Sequence, residues 1–323
     1  MTSLTLKSRS TGITSIGILV SLGIRSIASA TPLSGEILKF QQLPLGDLAT
    51  NPKSLFPGHD ELSTASLNST SGGFSGTFAA DDFSDNVSSP VVDVGWWGSY
   101  LPNGASPAPV QHFLISFESN VPASSSGGFS QPGQSLSSQV VTLGALTPGS
   151  GTFTETPDPT VPGGPDGQIY AYNAELTNPF PEQAGTTYWL KIVALDGPNQ
   201  NTQWGWHNRD YTIPDPYAAA PGDSVLGMND VGQAVYHYMD DAVAGNVTYI
   251  PNAPPPQGLI ETNITPLIYS ANPAVDGFGA SGLTPPSEDL AFDLYYNNVP
   301  EPVGLPLLSM GLFLFRRNRR RHA

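Results

Sequence analysis

The chain has 323 residues, 39% of them hydrophobic and 10% aromatic, so it can bury a substantial core and is not disordered throughout. Its 34 glycines and 32 prolines favour turns and long loops over helices, and the lack of cysteine excludes disulfides, thiolate metal sites and a cysteine nucleophile. Between Thr31 and Val299 four cations (Lys39, Lys53, Lys191 and Arg209) face 26 acidic residues, a balance of −22 that argues against a nucleic-acid partner and favours attraction of divalent cations.

Residues 1–30 read as a removable signal peptide. Lys7 and Arg9 supply the positive start, Ile13 to Ile24 the apolar stretch, and Ala28-Ser29-Ala30 a small-residue site at which signal peptidase would cut. Export follows from this, and residues 31–298 become a single exterior domain. Within it, Ser63 to Ser75 and Asn252 to Pro286, rich in small or turn-forming residues, read as loops or linkers.

The apolar pattern of the exterior domain alternates with period two. Phe113, Ile115 and Phe117 fall on one side of a strand whose other side carries His112, Ser116 and Glu118, and Leu290, Phe292, Leu294 and Tyr296 repeat the arrangement near the end. Further strands are expected over Val91 to Tyr100, Ser138 to Leu143, Thr152 to Glu155, Gln168 to Leu176, Thr186 to Leu195, Gln203 to His207 and Gln233 to Met239. Turn-rich runs such as Pro102-Asn103-Gly104 separate them. With no amphipathic crossover helix between them, these strands imply an all-β domain of antiparallel sheets packed as a sandwich or jelly roll with long loops.

The run Ala80-Asp81-Asp82-Phe83, followed by Pro90 to Tyr100 with its Trp96-Trp97 pair, resembles the opening of a β-sandwich domain family of planctomycete secreted proteins. Tyr188-Trp189-Leu190, Trp204-Gly205-Trp206 and Asp240-Asp241-Ala242-Val243 resemble its closing strands in the same order, so the match covers 80–243. The resemblance implies a fold but no activity.

The last 25 residues have three parts: Pro300-Glu301-Pro302, an apolar helix over 303–315, and a basic cluster over 316–321. Thirteen helical residues at 1.5 Å each cover about 20 Å, short of the roughly 30 Å hydrocarbon layer, and the arginines would stay on the cytoplasmic side. This order is similar to the PEP-CTERM sorting signal. The resemblance implies a transient membrane anchor over 299–323, recognition by an exosortase through Pro300, Glu301 and Pro302, and processing near that motif.

Candidate chemistry is sparse. The doublets Asp81-Asp82 and Asp240-Asp241 could supply hard oxygen ligands to calcium, although neighbouring strand residues point to opposite faces and such acids often cap turns or face solvent. Trp97, Trp204 and Trp206 could stack on sugar rings or fill the core, and the pattern Val92, Val94, Trp96 sends Trp96 inward and Trp97 outward. No two histidines have metal-ligand spacing, and no Gly-x-Ser-x-Gly elbow occurs. The expectation is an exported, exosortase-sorted protein of the cell surface or extracellular matrix, with a structural or adhesive domain, no enzymatic activity and no cofactor unless calcium. The alternatives are a carbohydrate-binding module that engages extracellular polysaccharide and, after it, a glycan hydrolase.

Overall fold

The computed structural model describes residues 32–44, 60–85, 87–101, 108–122, 129–159, 161, 167–198, 202–209, 224–228, 234–238, 242–253, 258–267 and 289–297. The signal peptide, the sorting tail, Asp240 and Asp241 lie outside them. The strands in chain order are β1 (Glu36–Gln42), β2 (Asp60–Leu62), β3 (Thr64–Leu67), β4 (Phe74–Phe83), β5 (Val91–Tyr100), β6 (His112–Val121), β7 (Gln131–Leu143) and β8 (Thr152–Pro157). They continue with β9 (Ile169–Phe180), β10 (Tyr188–Asp196), β11 (Trp204–His207), β12 (Ser224–Met228), β13 (Ala234–Tyr238), β14 (Val243–Tyr249), β15 (Leu259–Pro266) and β16 (Phe292–Asn297). No helix occurs among the described residues.

Fourteen of these strands form one mixed sheet, ordered β1-β16-β5-β9-β8-β7-β6-β10-β3-β4-β14-β15, with β11 joining β5 to β2; β12 and β13 pair separately. Most ladders are antiparallel, as the alternating sequence led one to expect, but β7–β8 and β3–β10 run parallel. The strands after residue 243 belong to the same sheet, since β14 pairs with β4 and β16 pairs with both β1 and β5.

The sheet wraps round its own core. Four ladder steps separate β5 from β6, about 19 Å across a flat sheet at the usual strand spacing. Yet the rings of Trp96 on β5 and Phe113 on β6 lie 5.2 Å apart. Phe40 of β1 likewise meets Phe83 of β4 at 5.9 Å, although many strands intervene. The main core therefore collects residues from β1, β4 to β11 and β16, with Trp96, Phe113, Phe117, Tyr172, Ile192, Trp204 and Phe292 among its members. At the open side β11 stitches the layers together, and the Ser63 amide between β2 and β3 donates to the Trp204 carbonyl at 3.0 Å.

In the middle of the sheet the outward face is also covered, whereas β7 and the edge strand β15 keep exposed residues. All nine residues of β10 are buried: Leu190, Ile192 and Ala194 enter the main core, while Trp189, Val193 and Leu195 pack into a second cluster with Phe78, Val243 and Val247. The segment Ser63 to Ser75, expected as a loop, contains β3. Close approach is what pairs β3 with β4, because a Cβ on Gly76, just past the segment, would meet the Thr64 carbonyl oxygen at 2.1 Å. Within Asn252 to Pro286, expected as loop, β15 adds an edge strand.

Candidate functional site

All five tryptophans are fully buried, which corrects the expectation of an exposed ring at Trp97. The alternation itself holds, since Trp96 stacks on Tyr172 in the main core at 5.2 Å while Trp97 occupies the opposite face. That face is roofed by Val161, Ile169, Ala171 and Ala291, and the Trp97 indole donates to Asp158 Oδ2 at 3.1 Å. Trp204 donates to the Tyr172 hydroxyl at 3.1 Å and Trp206 to the Ala291 carbonyl at 2.8 Å. A buried indole with its N–H satisfied is packing material, so Trp97, Trp204 and Trp206 offer no face to a sugar.

A serine, an aspartate and a histidine do meet in the interior. Asp60 accepts from Ser99 through one oxygen and lies 2.7 Å from His207 Nδ1 through the other, joining β2, β5 and β11. A nucleophilic triad needs the imidazole between hydroxyl and carboxylate. Here the carboxylate is in the middle, and the group ties three strands together where β11 closes the sheet.

The described cations Lys39, Lys191 and Arg209 are drawn into buried acidic groups. Lys39 meets Glu182 at 2.8 Å and Asp85 at 3.6 Å; Lys191 meets Glu118 at 2.6 Å, also contacts Glu261, and sits 4.3 Å from the Phe78 ring centre. Burial pulls the Lys191 ammonium below its ordinary pKa, against the pull of Glu118. Burial, and then the neighbouring Asp85, pushes Glu182 up to about 8 despite Lys39.

Asp81 belongs to a third such group. One of its oxygens accepts from the Leu290 amide at 2.7 Å and the other from the Asp82 amide at 2.9 Å. Burial, and then Asp289, raises its pKa well above the carboxylate range, while Arg209, paired with Asp289 at 3.4 Å, opposes the shift. Both Asp81 oxygens already receive N–H donors, and its neighbour Asp82 faces the other side of the strand, so the two carboxylates of the doublet do not converge.

A different set of carboxylates, mostly buried, is the most distinctive polar cluster among the described residues. Glu36 of β1, Asp93 of β5 and Glu175 of β9 bring one oxygen each to within 4.8 Å of one another. The register explains the meeting, because Asp93 stands directly across from Glu175 on one side and from Tyr295 on the other. Asp93 is fully buried and Glu175 nearly so, whereas Glu36 is half-buried at the rim. Neither oxygen of Asp93 accepts a hydrogen bond in good geometry; Glu175 Oε2 receives the Gly149 amide at 3.3 Å and Glu36 Oε2 the Leu33 amide at 2.9 Å. Burial first, and then Glu175, pushes the Glu36 carboxyl up to about 7. Asp93 is raised well above the usual range by burial and then by Glu36, Glu175 and Asp293, with the Asn173 amide beside it offsetting part of the effect.

This trio was missed in the sequence because its members are far apart in the chain. The available signal was Asp93 itself, an acid set inside the apolar run Val91 to Trp97. Elsewhere a groove is lined by Ser135, Ser138, Tyr249, Asn252 and Leu259, next in the chain to the exposed Ile250 and Ile260.

Residues 38–240 match the model of a domain of unknown function, DUF7901. The chain belongs to the DUF7901 family. No curated protein and no solved structure matches it. The DUF7901 match contains Asp93 and Glu175 but stops short of Glu36, and it ends before β14, β15 and β16. Since β16 lies between β1 and β5, the sheet that carries the DUF7901 match is completed by strands outside it.

Proposed function

We propose that this DUF7901 protein is exported, sorted by an exosortase, and displayed at the cell surface or in the extracellular matrix as a non-catalytic, structural or adhesive β-sandwich. One observation carries the reading: Pro300-Glu301-Pro302, a short apolar stretch and an arginine cluster follow one another at the C-terminal end of a chain that opens with a signal-peptide pattern. The wrapped sheet, with two layers packed across an aromatic core, supports the sandwich description. The use of polar side chains to tie strands together, as in Ser99-Asp60-His207, supports a scaffold role over catalysis.

A second reading, carbohydrate binding, is favoured by the groove at Tyr249, where a half-buried aromatic ring lies beside Asn252, Ser135 and Ser138. On this reading the sugar-facing surface lies away from the tryptophans.

The sorting reading is tested in a host that carries an exosortase. Changing Glu301→Ala should block processing and leave the full-length chain in the membrane fraction, while the wild type is shortened and released. Normal release of the variant overturns the exosortase assignment.

A further inference from the structure

Three buried or half-buried carboxylates converge on the outer face of β1, β5 and β9, and among the described residues no cation pairs with them. Lys39, Lys191, His207 and Arg209 are committed to other acids. The surroundings add further oxygen: Asp293, whose Oδ2 accepts from the Tyr295 hydroxyl at 3.0 Å, raises the Asp93 pKa by its charge, and Asn173 stands two residues before Glu175 on β9. Ionised acids gathered without a counter-charge repel one another strongly in a site shielded from water. Other buried acids of this body meet a lysine, an arginine, a histidine or an N–H donor, as Glu118, Asp289, Asp60 and Asp158 do.

The second observation is the state of Asp93. It has no exposed surface, lies at the centre of the trio, and neither of its oxygens receives a hydrogen bond in good geometry. Buried carboxylates are ordinarily satisfied, and a fully buried one that lacks a well-formed donor and sets an oxygen among those of two other acids has the form of a cation ligand.

We propose that Glu36, Asp93 and Glu175 form a binding site for one calcium ion. The donor set is all oxygen, without nitrogen or sulfur, which selects hard divalent cations over zinc or copper. Calcium takes about six to eight oxygens in flexible geometry, whereas magnesium demands a near-ideal octahedron and gives up its waters reluctantly, which favours calcium at a largely buried protein cluster. Oxygens that all lie within 4.8 Å of one another can reach a single such ion. Glu36, half-buried at the rim, gives the ion its route from solvent, and Asp293 or water completes the coordination. The bound ion would clamp β1 to β5 and β9 across the intervening β16.

The test uses the full chain, stripped with chelator and titrated with calcium chloride at neutral pH in a calorimeter, with melting curves alongside. The expected result is saturable binding of one ion and a melting temperature that climbs by several degrees with calcium, but at least tenfold less sensitively with magnesium chloride. Asp93→Asn keeps the shape of the side chain and removes its charge, so it should melt no lower than the wild type in chelator and bind calcium at least tenfold more weakly. Should that variant fail to fold, Glu36→Gln at the rim makes the same measurement without disturbing a buried position. Three results overturn the proposal: no saturable calcium binding by the wild type, equal responses to calcium and magnesium, or undiminished calcium binding in both variants. The last would place the ion on the acidic surface elsewhere.

Discussion

Replacing Trp97 separates a packed indole from a ligand platform. The ring has no exposed surface and lies under Val161, Ile169, Ala171 and Ala291, so Trp97→Ala removes a side chain of the size that costs about 3 to 5 kcal/mol when deleted from a core. Area gives a similar figure, since a tryptophan buries on the order of 200 Å² and each Å² contributes about 25 cal/mol. For a domain of this size each kcal/mol lowers the melting temperature by about 2 to 4 °C, which predicts a fall of about 6 to 20 °C by calorimetry or circular dichroism. Trp97→Phe keeps most of the burial but loses the 3.1 Å hydrogen bond to Asp158 and part of the ring's packing, so its cost should be nearer about 1 to 3 kcal/mol. The graded order of wild type, Phe and Ala is the signature of packing. If Trp97→Ala melts within a degree or two of the wild type, the ring is not roofed and the covering of the outer face of β5 is wrong.

Stability should fall as pH rises through the neutral range. The folded state holds Glu182 with its pKa raised to about 8, so the stability this group contributes is complete below its unfolded value of about 4.5 and is lost as pH climbs from there through about 8; Glu182→Gln should flatten that part of the melting-temperature profile, and an unchanged profile rejects the assignment. The carbohydrate reading makes its own demand on the groove. Tyr249→Ala should abolish retention of the folded protein on a polysaccharide column that holds the wild type, whereas a wild type that is never retained removes sugar binding from the account.

What the sequence displayed was local. Phe113, Ile115 and Phe117 alternate with polar residues over a few positions, and β6 lies where that period placed it. Trp96 and Trp97 fall on opposite faces for the same reason. Whether an outward face is wet or roofed depends on segments remote in sequence, here Val161 and Ala291, and so Trp97 was misplaced. The small residues around Gly76 have two physical meanings, flexible loop or close strand approach, and composition does not distinguish them. The doublet Asp81-Asp82 drew attention because its members are adjacent, yet adjacency in a strand separates side chains. Asp93 and Glu175 are brought together by cross-strand register over a long stretch of chain, and only pairing reveals it. The wrapped sheet was likewise hidden, because alternation specifies strands and not the order in which they pair.

The pairing of β1 with β16 sets Glu36 opposite Asn297, so the beginning and the end of the sheet emerge side by side. Any tension applied through the chain beyond Asn297 enters β16, which is hydrogen-bonded to β1 on one edge and β5 on the other. To extract that strand lengthwise, two ladders must slide at once, a much stiffer response than peeling an edge strand one bond at a time. A body held at this point would resist drag like a peg gripped from both sides. Joining the two ends with a short linker and opening the chain elsewhere should leave the sheet order intact.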